Sequence, residues 1–280
     1  MSQTFAPTVL VVDDDPSILD IFSRRFYEDT SLGVLATGNL KDAQSAISDE
    51  DVQLDAVVSD IAFTQETQDA ENNLYDGLDF LRKALKEKPS MPIYVCSVYS
   101  DRKIYKAKAK KMGLTAKTWF QKLEFDGKKP WEKIERDLYD SALENDKELL
   151  EKVKKNGFDQ DVINNELLDW IRTNIRPIRQ TYLQTLPRPL KILKQIRVFC
   201  EEVHEEDSEK RKITAEAPGL GLIIPGQGDS VEEAMEDLSD IIYEQYNDFI
   251  RTKPQDLVGH AKKVFENMQN YMTLDDYSVA

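Results

Sequence analysis

Thr8-Val9-Leu10-Val11-Val12-Asp13-Asp14-Asp15-Pro16 is a short apolar run that ends abruptly in three adjacent carboxylates. The run reads as a buried strand that delivers negative charge to one edge of a sheet. Three carboxylates this close repel one another, so they need a neighbouring cation or a shifted protonation state. An all-oxygen ligand set of this kind suits Mg²⁺. The same residues also read as the cap of the next helix, with an aspartate just before Pro16 and the proline at the first helical position. The two readings are compatible, and partners elsewhere in the chain decide what the run is for.

Outward from this stretch, short apolar runs alternate with helical patterns, the signature of a parallel sheet covered by helices. A helix is expected from Pro16 to about Glu28, a strand over Gly33 to Ala36 and a helix over Lys41 to Ile47. Asp55 to Asp60 reads as a third strand, again ending in a carboxylate, and Asp76 to Lys86 as a helix stopped by Pro89. Met91 to Ser97 is a fourth strand that ends in a hydroxyl. Asp101 to Lys111 is a cationic helix closed by Gly113, and Thr115 to Gln121 is a fifth strand followed by Lys122. In such a sheet the carboxyl ends of the strands share one edge, where ligands bind. Asp13, Asp14, Asp60, Ser97 and Lys122 are therefore expected at a single place.

These elements, in this order, resemble the receiver domain of two-component response regulators, the CheY-like fold, over residues ~6–140. The resemblance implies that Asp60 is the phosphoacceptor, attacking a phosphohistidine of a partner histidine kinase or phosphotransfer protein. It implies Mg²⁺ held by Asp14, Asp60, the backbone carbonyl of Ala62 and Asp13, directly or through water. Lys122 would pair with the phosphoryl group and the Ser97 hydroxyl would hydrogen-bond to it. A switch would follow, in which Ser97 moves, Trp119 turns inward and the surface of the fourth helix, fifth strand and fifth helix changes. Trp119 reads equally well as an ordinary half-buried strand residue.

The chain departs from the family pattern in three places. A polar, acidic insertion, residues 65–75, precedes Asp76-Gly77 and is expected to form a loop beside the site. Leu123 stands where the family has a proline after the lysine, so a trans or strained peptide is expected there. Val98 and Tyr99 replace the usual small residue after the switch hydroxyl, an arrangement expected to crowd the phosphoryl pocket and prolong the phosphorylated state.

The whole chain has 280 residues, 40% apolar and 32% charged, which fits a soluble globular protein of two or three domains. A net charge of −15 disfavours non-specific binding to nucleic acid or anionic lipid. No apolar run approaches the ~20 residues of a membrane span, and the first residues lack the pattern of a secretory signal, so a cytoplasmic location is the expectation. Cys96 and Cys200 read as buried free thiols, and no Cys/His metal spacing occurs.

Beyond the receiver, Pro130 to Lys155 and Asp161 to Asn174 read as helices. The stretch from Trp170 to Cys200 then carries seven basic residues and no acid. Arg172, Arg176 and Arg179 have the spacing of one helical face. The preferred reading is an interdomain face. The alternative is a nucleic-acid-binding regulator that uses segment 172–197.

Residues 195–205 alternate like a strand, two further short strands follow, and Ser230 caps a strong helix with Glu233 at the capping-box position. This order, with Gly228-Asp229-Ser230-Val231-Glu232-Glu233-Ala234 as its clearest part, resembles a HicB-like domain over residues 195–252. That resemblance implies a non-catalytic, protein-binding and oligomerising module. A histidine phosphotransfer role for His260 lacks a four-helix context, and both His204 and His260 read as solvated.

The expected architecture is thus α/β. A doubly wound five-stranded parallel receiver (residues 1–140) is followed by a helical middle segment (141–194) and a small α+β output domain with a C-terminal helix (195–280). The chain is read as a response regulator and not as an enzyme, with an unidentified output protein as partner and a homodimer as one available assembly.

Overall fold

The apolar run of β1 (Thr8–Val12) is buried at all five positions, as a central parallel strand covered on both faces must be. The structure is a computed structural model that describes residues 6–63, 76–101, 103–122, 129–145, 147–158, 165–174, 178–204, 211–252 and 256–274. The insertion 65–75, Leu123 and Arg176 lie outside these residues. The chain divides into two compact units, Thr4–Pro177 and Ile178–Ala280.

In the first unit β1 is followed by α1 (Pro16–Asp29), β2 (Gly33–Thr37), α2 (Leu40–Ser48) and β3 (Ala56–Ser59). Next come α3 (Asp76–Glu87), β4 (Ile93–Cys96), α4 (Lys103–Lys111), β5 (Thr118–Phe120) and α5 (Lys129–Asn145). The five strands are parallel, in the order β2-β1-β3-β4-β5. This is the order of the flavodoxin and CheY class of doubly wound sheets.

Alternation along the strands sorts side chains to two faces. Val9 and Val11 of β1 join Phe22, Phe26, Trp131, Ile134 and Leu138 in one buried cluster. Trp131 sets its ring edge-on between Phe22 and Phe26, at centroid distances of 5.0 and 4.8 Å. The helical stretch that follows, α6 (Lys147–Lys155) and α7 (Asn165–Asn174), adds Val153, Leu167, Leu168 and Ile171 to the same cluster.

Two carboxylates tie α5 to this core. Glu135 is fully buried and accepts hydrogen bonds from the Ser31 amide at 2.8 Å and the Ser31 hydroxyl at 2.9 Å. Asp137 accepts from the Tyr94 hydroxyl of β4 at 2.9 Å and lies 3.6 Å from Lys117 Nζ.

The second unit is an antiparallel sheet in the order β10-β9-β8-β6, packed against one long helix. Its strands are β6 (Arg179–Leu183), β8 (Ile196–His204), β9 (Arg211–Glu216) and β10 (Gly226–Gly228), and the helix is α8 (Val231–Arg251). The three strands and helix expected from sequence are present, and β6 adds a fourth strand. Arg179 therefore opens a strand, whereas Arg172 belongs to α7, so the two do not share a helical face. The spacing misled because i, i+4, i+7 recurs by chance across an element boundary.

Ser230 caps α8 by accepting from the Glu233 amide at 3.1 Å, and Glu233 returns to the Asp229 amide at 2.7 Å. β10 lies so close to α8 that a Cβ on Gly226 would meet the Ala234 carbonyl and, at 2.5 Å, the Leu238 amide. Only glycine permits that approach. A final helix, α9 (Gly259–Tyr271), leads into β11 (Met272–Leu274), which pairs with β7 (Leu190–Ile192). Among the described residues no helix is long and apolar enough to cross a membrane.

Candidate functional site

The register of β1 on β3 pairs Val12 with Ser59 and thereby sets Asp13 beside Asp60 at the carboxyl edge of the sheet. The ladder continues through the Asp60 amide, which donates to the Val12 carbonyl at 2.9 Å. On the far side the Asp13 amide donates to Thr37 O at 3.2 Å. Both aspartates are buried, at 1% and 4% exposure.

Lys122 follows β5 and reaches back across the strand ends. Its ammonium lies 2.6 Å from one Asp60 oxygen and 2.8 Å from one Asp13 oxygen, donating to both. The other Asp60 oxygen accepts from the amides of Ile61 at 2.6 Å and Ala62 at 3.2 Å. Burial pushes the Asp13 carboxyl up to about 6, against the opposing pull of Lys122 and with a further rise from Asp60. Burial also works against the Lys122 ammonium, but the Asp60 and Asp13 charges outweigh it and hold the lysine above its ordinary value.

Asp13, Asp14 and Asp60 each offer a carboxylate oxygen, and these atoms lie within 4.8 Å of one another. One ammonium faces three acids, and the donor set is made of hard oxygens. The residues therefore fit a small divalent cation such as Mg²⁺. Asp15 does not join the cluster: its side chain accepts from the Ser17 amide at 2.9 Å and caps α1, with Pro16 in the first turn. The aspartate run divides residue by residue: Asp13 and Asp14 cluster with Asp60, and Asp15 caps α1.

Ser97 is fully buried at the end of β4, and its amide donates to Phe120 O at 3.1 Å. Its hydroxyl oxygen accepts from the Tyr99 amide at 3.3 Å. Trp119 is half-buried on β5, with Lys106 Nζ 5.7 Å from its ring centroid. Of the two residues expected to crowd the pocket, Val98 is 52% exposed, and the Tyr99 ring packs on Tyr105 of α4 at 5.6 Å.

One contributor carries no charge. A Cβ on Gly77, in the first turn of α3, would meet the Asp60 carbonyl oxygen and lie 2.7 Å from Ile61 Cα. Gly77 thus lets α3 press on the backbone that presents Asp60. The Asp76-Gly77 pair was visible in sequence, but a contact with a residue as distant in sequence as Asp60 has no local signature.

The arginine-rich segment does not form one patch on one element. Arg179 and Arg197 lie on β6 and β8, Lys191 on β7, and Arg188 and Lys194 in the connections. Arg197 stacks over Phe199 at 5.5 Å and Lys194 over Tyr271 at 5.3 Å.

No protein-family model matches the chain, and no curated protein matches it. Solved structures do. A CheY-like response regulator receiver domain protein from Methanospirillum hungatei JF-1 is 23% identical, with 54% of this chain and 99% of that chain covered and a TM-score of 0.32. The receiver domain of NtrX from Brucella abortus is 23% identical over 49% of this chain and 99% of that chain, at a TM-score of 0.31. The RcsB response regulator of Salmonella typhimurium is 13% identical over 60% and 98% of the two chains, at a TM-score of 0.36. Likenesses this distant transfer no ligand, partner or residue role. What stands on this chain alone is the strand order of the flavodoxin and CheY class with an acidic cluster at its carboxyl edge.

Proposed function

We propose that the chain is a two-component response regulator phosphorylated on Asp60. The observation that carries the reading is the Lys122 ammonium bridging Asp60 and Asp13, with Asp14 alongside, at the carboxyl edge of a β2-β1-β3-β4-β5 sheet. In the proposed reaction an Asp60 carboxylate oxygen attacks the phosphorus of a phosphohistidine on a partner histidine kinase or phosphotransfer protein. A P–O bond forms, the P–N bond breaks, and the imidazole leaves with the bonding pair.

Asp13, Asp14, Asp60 and the Ala62 carbonyl would hold Mg²⁺, which when bound supplies charge neutralisation at the phosphoryl oxygens. Lys122 leaves its carboxylate partners to pair with the new phosphoryl group, and the Ser97 hydroxyl donates to the same group. Trp119 and the surface of α4, β5 and α5 would carry the change outward. The output is read as non-catalytic: the second unit, with its HicB-like order of elements, would bind a protein partner.

Incubation with a small-molecule phosphodonor and Mg²⁺, followed by intact-mass measurement, tests the assignment. Wild type should gain one acid-labile phosphoryl group and Asp60→Asn none. Equal uptake by the two proteins would overturn it.

A further inference from the structure

In a chain of net charge −15, α4 carries five lysines and no acid. Tyr105 and Ala109 are buried, which turns the opposite side of the helix outward. That side centres on exposed Ala107, with Ile104 beside it at 64% exposure and Lys103, Lys106, Lys110 and Lys111 around them. Lys106 also reaches the Trp119 ring. Among the described residues, ion pairs reach Lys117, Lys122 and Lys154 of this unit but not these four lysines. A small apolar centre ringed by ammonium groups that carry no ion pair among the described residues is a surface shaped for an acidic helix.

The second unit supplies one. Along α8, Glu232, Glu236, Asp240, Glu244 and Asp248 recur every fourth residue and are all exposed. Successive like charges at this spacing repel along the helix. Among the described residues only the last meets a base, Arg251, at 3.9 Å. Half-buried Tyr243 falls within the stripe and offers an apolar surface to match Ile104 and Ala107. The carboxylates repeat every ~6 Å of rise, close to the ~4.5–6 Å between Lys103, Lys106 and Lys110.

We propose that the lysine face of α4 docks on the acidic stripe of α8 in a second copy of this chain. The two surfaces lie on different units, so a two-fold pair of chains makes the contact twice. One contact of two or three helical turns falls short of the ~1,000 Å² of a stable interface, and its duplication gives a weak, concentration-dependent dimer. Charge carries the recognition, so salt dissolves it. The inference stands apart from phosphorylation and is tested without a phosphodonor or Mg²⁺.

Sedimentation velocity of the full chain at about 20 mM and about 500 mM salt reads the result. The weight-average mass should rise toward two chains with concentration at low salt and stay at one chain at high salt. Lys103→Glu with Lys110→Glu should be monomeric at low salt, as should Glu236→Lys with Asp240→Lys. An equimolar mixture of the two double variants should dimerise again, because both contacts are then complementary. That rescue also excludes misfolding of either variant. A monomeric wild type at low salt, a dimer that survives both reversals, or a mixture that stays monomeric would overturn the proposal.

Discussion

Asp13 pays for its position in stability. Its folded-state value of about 6 lies above the ordinary 3.8, so the native state binds more protons than the unfolded one between these values. Stability from this group is therefore fullest below about pH 4 and is lost as pH rises to about 6, leaving a penalty on the order of 2–3 kcal/mol at neutral pH. Asp13→Asn should raise the free energy of unfolding in metal-free buffer at pH 7.5 by about that amount, read by urea denaturation. With Mg²⁺ held as proposed, added Mg²⁺ should stabilise wild type and not this variant. A less stable variant would show that the Lys122 ion pair outweighs the crowding of the acids. The roles divided among Asp13, Asp14 and Asp15 follow from which carboxylate the strand register points at Asp60 and which is left beside Pro16. The division is legible in sequence, where Asp15 stands next to Pro16, whereas the ion pair of Lys122 with Asp13 is not.

At the scale of elements, α5 is held by polar groups as much as by its apolar face. Glu135 is buried, and it satisfies the amide and hydroxyl of Ser31. Tyr139 closes the group through a 2.8 Å bond to the Ser31 hydroxyl. Glu135→Ala should destabilise the first unit by about 2–4 kcal/mol, because the Ser31 amide loses its acceptor and a cavity opens. A change below about 1 kcal/mol in denaturant unfolding would show that water replaces the carboxylate. These anchors could not be read in sequence: Ser31 and Glu135 are 104 residues apart, and nothing local marks a glutamate as buried. β1 to β5 and α8 were legible because period and cap agree there. β6 was not, because five residues that open with Arg179 lack a marked alternation and follow a proline that reads as a helix break.

For the molecule as a whole, the two thiols form a pair of internal reporters. Cys96 and Cys200 are both free and buried, one in each unit, and burial pushes the Cys200 thiol up to about 12. Neither should react with an exposed-thiol reagent in native buffer, and both should react in denaturant. Mass mapping of alkylation against urea concentration gives each unit its own unfolding curve. Prompt native labelling of either cysteine would contradict its burial.

The seat of Trp131 between Phe22 and Phe26 has an optical consequence. All three tryptophans, 119, 131 and 170, belong to the first unit, so tryptophan emission is blind to the second. Trp131 is sealed and should resist an aqueous quencher, whereas Trp119, half-buried on β5 under Lys106, should be quenched in part. Trp170 is half-buried as well, so in a Trp170→Phe background any change in quenching on adding Mg²⁺ or a phosphoryl mimic reports on the strand next to Lys122, against a background that the buried indole holds constant.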